Sequence, residues 1–93
     1  MIKIPDQNWI VEKNGNDQLV IGIEECSELT KAITKYIRYG EKTRFNVIEE
    51  IADVLICIEQ LKLLCNISDT EIQGEVDYKI KRTEQLYKES NDE

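Results

Sequence analysis

Two short stretches of this chain carry acids in a pattern that can do chemistry. Glu24-Glu25-Cys26-Ser27-Glu28 and Glu49-Glu50-Ile51-Ala52-Asp53 each place two carboxylates three residues apart, Glu25 with Glu28 and Glu50 with Asp53. At that spacing two side chains share one face of a helix. Like charges so close repel, and a surface helix gains nothing from them. Faced across a helix hairpin, the two pairs bring four carboxylates together, an arrangement that is stable around a cation. The plainer alternative is a pair of solvated acidic faces.

The helical wheel separates these readings. At about 100° per residue, the apolar face of the first helix runs through Leu19, Ile23, Cys26, Leu29, Ile33, Tyr36 and Ile37. Glu25 falls on the flank of that face, among Leu29, Ala32 and Tyr36, with Glu28 beside it, while Glu24 points to the polar side. On the second helix Glu50 falls between Cys57 and Leu61, Asp53 lies next to Leu64, and Glu49 stays on the polar stripe with Gln60. Acids at the edge of an apolar face are costly unless paired or metal-bound. The wheel therefore selects Glu25, Glu28, Glu50 and Asp53.

This pairing of Glu-Glu-x-x-Glu with Glu-x-x-Asp about two dozen residues on resembles the MazG-like all-α nucleoside triphosphate pyrophosphohydrolases. The resemblance covers Gln18 through Glu24-Glu25-x-x-Glu28-Leu29 to Asn46-x-x-Glu49-Glu50-x-x-Asp53, with a weaker echo at Lys79. It implies an antiparallel helix bundle completed by oligomerisation, as a homodimer or tetramer. It also implies Mg²⁺, with Mn²⁺ as a substitute, on Glu25, Glu28, Glu50 and Asp53, which are hard oxygen ligands suited to that ion. The implied reaction is hydrolysis of a nucleoside triphosphate to the monophosphate and pyrophosphate, with Glu25 or Glu28 as the general base. Two other classes stay open: a nucleotide- and metal-binding helical module without turnover, and a structural helical oligomer.

The elements that must position these residues are helical throughout. A chain of 93 residues makes one domain, here residues 1–93. A short helix or loop is expected over about 5–13, carrying Trp9; the break Asn14-Gly15-Asn16-Asp17 follows, with Asn16 or Asp17 available as a cap. Trp9 either plugs one end of the bundle or stacks on a nucleobase. The first long helix is predicted over 18–39, ended by Gly40. Lys31, Lys35 and Arg38 lie on the side of Glu28; Lys31 and Arg38 read as structural, and Lys35 as either an ion-pair partner or a phosphate ligand.

Asn46-Val47-Ile48-Glu49 has the form of a capping box opening a second helix over 46–65, apolar around most of its circumference. Two neighbours in a small bundle cannot bury all of that surface, so a subunit interface is expected. Ser68-Asp69-Thr70-Glu71 is another capping box, opening a third long helix over 69–89 with a stripe of Ile72, Val76, Ile80, Thr83 and Tyr87. Lys79 lies within that stripe and either snorkels to the surface or approaches the phosphates, as the resemblance implies. Thr83 stands where the family has asparagine.

Composition closes other routes. A formal charge of −7 without a basic cluster argues against nucleic-acid binding. No histidine is present, which removes the usual zinc ligand and the Glu-x-x-His of bundle di-iron sites. Cys26, Cys57 and Cys65 fall on apolar helix surfaces and read as small hydrophobes in a reducing cytosol. With no transmembrane-length apolar run and no signal-peptide pattern at Met1–Asp6, the expected setting is cytoplasmic, with no membrane partner.

Overall fold

The structure is a computed structural model and describes residues 1–92. Four helices follow one another: α1 (Asn8–Asn14), α2 (Asp17–Tyr39), α3 (Arg44–Leu64) and α4 (Asp69–Asn91), with a 3₁₀ turn at Gly40–Thr43 between α2 and α3. The all-α expectation holds among the described residues. The long helices fall within two residues of their predicted bounds at each end, whereas the first helix begins at Asn8, beyond Pro5.

Helices α2 and α3 form an antiparallel hairpin. Tyr36 Oη donates to Glu41 Oε1 at 2.7 Å, tying the turn to α2, and the Thr43 hydroxyl donates to the Gly40 carbonyl at 2.9 Å within the turn. The cations of Arg38 and Lys42 lie over the Tyr39 ring. Gly40 closes α2 at φ 75°, a left-handed value that favours glycine, and its N–H donates to the Tyr36 carbonyl. Asn46 is not the N-cap of α3. The helix already begins at Arg44, whose N–H is satisfied by the Glu41 carbonyl, so the 3₁₀ turn does the work a side-chain cap would do. Ser68 does cap α4: it accepts from the Glu71 N–H while the Glu71 carboxylate accepts from the Ser68 N–H.

A polar seam runs between α2 and α3. Gln18 Nε2 donates to Gln60 Oε1 at 2.7 Å, and both residues are buried. One heptad further along α2 stands Glu25, and one heptad back along α3 stands Asp53, within hydrogen-bonding reach of it. Another heptad leads to Ala32, the one fully buried hydrophobic residue among those described. A heptad returns to the same helix face, so amide, carboxylate and alanine occupy successive levels of a single interface.

The amide level continues outward. Asn14 Nδ2 donates to Gln18 Oε1 at 2.6 Å, Gln60 Nε2 to Gln7 Oε1 at 3.0 Å, and Gln7 Nε2 to the Pro5 carbonyl at 2.9 Å. This relay fastens α1 and the N-terminal segment to the hairpin. Trp9 takes no part: it is 65% exposed and does not plug the bundle, whereas its neighbours Ile10 and Val11 are half-buried. Removing the middle of the relay should be costly. Gln60→Ala leaves the buried Gln18 Nε2 without its acceptor and should lower stability by about 1–3 kcal/mol, a fall in melting temperature of at least about 4 °C. Gln18→Leu combined with Gln60→Leu should cost less than the two single losses added together. Thermal melts of the three variants measure that non-additivity.

The outer face of α3 meets the N-terminal segment, where Ile2 and Ile4 lie along Ile48, Ile51, Ala52 and Leu55. That answers part of the apolar circumference that α3 carries. Much remains open, with Ile51, Ile58 and Leu61 each more than 40% exposed. Helix α4 packs against no other helix of its own chain, and every residue along it is exposed.

Candidate functional site

At the carboxylate level of the seam, one oxygen each of Glu25, Glu50 and Asp53 lie within 4.8 Å of one another. The hairpin accounts for this convergence. Glu25 comes from the face of α2 turned to α3; Glu50 and Asp53, one turn apart on α3, reach back towards it. Glu25 and Glu50 are half-buried and Asp53 is exposed, so the cluster sits at the mouth of the seam. Its electrostatics follow from that position. Partial burial pushes the Glu25 carboxyl above the usual range, and Asp53, Glu50 and Glu28 push it further. Burial likewise raises Glu50, helped by Asp53, Glu28 and Glu49. Glu50 Oε2 is buried and has no hydrogen-bond partner.

Glu28 adds its negative field but is not one of the three converging oxygens. It is exposed, and its carboxylate takes Lys31 at 3.4 Å. The fourfold convergence expected from the wheel is thus a threefold one with Glu28 on its rim. The reason is geometric: Glu28 lies one turn further along α2, where a cation on its own helix is nearer. Glu24 is exposed and outside the cluster, as expected. Lys35 is exposed and, among the described residues, makes no ion pair.

Lys79 is on α4 and is not brought to the carboxylates within the chain. It is exposed, with its carbonyl accepting from the Thr83 hydroxyl at 2.8 Å. Thr83 is therefore engaged with its own helix.

Beside the carboxylates the seam becomes apolar. Cys57 lines a groove between α2 and α3 and stands close enough to Glu25 and Asp53 for their charges, after burial, to push its thiol upward. Gln18, which with Gln60 organises this end of the seam, is not singled out by the sequence, and the wheel sets Gln60 on the polar stripe with Glu49, whereas Gln60 is buried against α2. The signal available was their heptad spacing from Glu25 and Asp53.

An orphaned buried carboxylate oxygen within a group of three acids fits a hard divalent cation, because such an ion supplies the missing partner and cancels the mutual repulsion. The donor set is all oxygen, which suits Mg²⁺ or Mn²⁺ better than a softer metal. Fold and site together define an all-α chain with three convergent carboxylates at a hairpin seam. No family model matches this chain, and no curated protein or solved structure matches it. Among the described residues, no helix is long and apolar enough to cross a membrane.

Proposed function

We propose that this chain is a Mg²⁺-dependent pyrophosphohydrolase of the MazG-like type, cleaving a nucleoside triphosphate to the monophosphate and pyrophosphate in a helical bundle completed by self-association. The observation that supports this reading is the unpartnered, buried Oε2 of Glu50, a residue whose carboxylate converges with those of Glu25 and Asp53. Glu25, Glu50 and Asp53 would hold the ion, with Glu28 at the rim. When bound, Mg²⁺ neutralises the triphosphate and polarises the attacking water.

The chain's own residues divide the remaining work. Glu25, on the face of α2 turned to α3 beside Glu50 and Asp53, accepts the proton from water; Glu28 is less suited because Lys31 already engages it. Lys35, exposed on the Glu28 side of α2, is available to phosphate oxygens, and the exposed Trp9 ring offers a stacking face for a base. Lys79 contributes only where α4 is carried to a hairpin. Neither a serine, histidine or cysteine triad nor a glycine-rich phosphate loop is available for a different route.

The test is pyrophosphate release from each common ribo- and deoxyribonucleoside triphosphate in Mg²⁺. Release of pyrophosphate and monophosphate in equal amounts is expected from at least one of them. Release of inorganic phosphate alone, or no turnover of any, would sink this reading.

A further inference from the structure

The chain exposes 7752 Å². A compact monomer of 10.9 kDa exposes about 5,600 Å² by the scaling of folded proteins. The excess, roughly 2,000 Å² per chain, is of the size that each member of an obligate dimer hides, since such interfaces bury about 2,000–5,000 Å² in total. Two apolar surfaces stand open to solvent on each chain. One is the stripe of α4, where Ile72, Val76 and Ile80 are 37%, 45% and 55% exposed. The other is the groove of about 340 Å³ between α2 and α3, lined by Leu19, Gly22, Ile23, Val54, Ile58 and Leu61.

Three features fit the stripe to the groove. Leu19 to Cys26 along the groove is about 10 Å of helix, and Ile72 to Ile80 along the stripe is about 12 Å. Gly22 lies inside α2, where glycine costs about 1 kcal/mol relative to alanine, yet a Cβ there would meet nothing within 4 Å in its own chain. A second helix crossing close over the groove gives that glycine a purpose. The stripe does not reach its own groove, because the α3–α4 elbow is built to hold α4 away. The Ile67 N–H donates to the Lys62 carbonyl at 2.9 Å, Asn66 sits at φ 54°, and Lys62 bridges Glu59 and Asp69.

We infer that α4 is an exchange arm that lies in the α2–α3 groove of a second copy of this chain, each copy filling the other's groove. This rests on the self-association proposed above and is independent of nucleotide hydrolysis. Because a Cβ at Gly22 meets nothing within 4 Å of its own chain, Gly22→Leu should spare the isolated fold and block the arm. The full-length parent should sediment as a dimer or a multiple of one at micromolar concentration, and Gly22→Leu should associate roughly ten- to a hundredfold more weakly with its helicity retained.

A second measurement locates the arm. Val76→Cys, with Cys65→Ser, should form a disulfide to Cys26 or Cys57 of the second copy when oxidised glutathione is the oxidant, because thiols link only when their backbones approach within about 7 Å. A covalent dimer on a non-reducing gel supports the exchange. A link confined to one chain means the arm folds back on its own groove and overturns the inference. So does a monomeric parent, or a dimer that ignores Gly22→Leu and forms no link. Pyrophosphate release in the parent is read separately, so loss of the exchange leaves the hydrolytic reading to stand or fall on its own assay.

Discussion

Glu50→Gln should release pyrophosphate at least about a hundredfold more slowly than the parent, a loss of roughly 3 kcal/mol of transition-state stabilisation. The substitution keeps the shape of the side chain, so the seam between α2 and α3 has no cavity to absorb. It removes one of three negative charges that meet within 4.8 Å, at the residue whose Oε2 lacks a partner. Because that charge is repelled by Asp53, Glu28 and Glu49, folding should survive its loss. A slow variant that melts no lower than the parent therefore reports on the site rather than on damage to the fold. Asp53→Asn should behave in the same way. Glu24→Gln should not, since Glu24 is exposed and outside the cluster. Lys79→Met retains the apolar stem and deletes the cation. Normal turnover in Lys79→Met would leave the carboxylate site intact and return Lys79 to the role of a snorkelling surface lysine. Normal turnover in Glu50→Gln would remove the catalytic site altogether.

The wheel could separate Glu25 from Glu24, and Glu50 from Glu49, because the apolar residues of each helix define a face without any knowledge of what covers it. It could not give reach. Glu28 shares a face with Glu25, yet it meets Lys31 instead of the cluster, and that outcome depends on side-chain geometry beyond the resolution of a 100° step. The polar seam was hidden for a different reason. Gln18 and Gln60 read as ordinary polar residues until the hairpin register pairs them, and register is a long-range property. Asn46 had the local pattern of a cap, but the 3₁₀ turn delivered a carbonyl first. For α4 both the capping box and the apolar stripe were legible. What covers the stripe was not, because a period names a face and never its partner. The apolar circumference of α3 is more than its own chain covers: the N-terminal segment takes up part of that surface, and Ile51, Ile58 and Leu61 stay exposed.

The same carboxylates should make the metal-free chain less stable as pH rises. Glu25 and Glu50 have folded-state proton affinities raised above their ordinary value of 4.5. An acid raised in this way imposes no penalty below the unfolded value, where both states are protonated. The penalty grows as pH climbs past 4.5 and is complete once pH exceeds the raised folded value. Melting temperature in the absence of divalent ions should fall across that window. Glu25→Gln or Glu50→Gln should flatten the fall and raise the neutral-pH melting temperature, since one repulsive charge has gone. Mg²⁺ or Mn²⁺ should act in the opposite sense on the parent, because an ion that binds only the folded state stabilises it. At a hundred times its dissociation constant that is about 2.7 kcal/mol, or roughly 10–20 °C for a domain of this size. The increment should vanish in Glu50→Gln and persist in Glu24→Gln. The measurement is a set of thermal melts at several pH values, with and without the ion, run alongside Ca²⁺ and a monovalent salt of matched ionic strength so that screening is not mistaken for binding. If monovalent salt reproduces the whole rise, the three carboxylates are a solvated acidic face. If Glu24→Gln abolishes the divalent effect while Glu25→Gln spares it, the ion sits on the other side of α2 and the assignment of the seam is wrong.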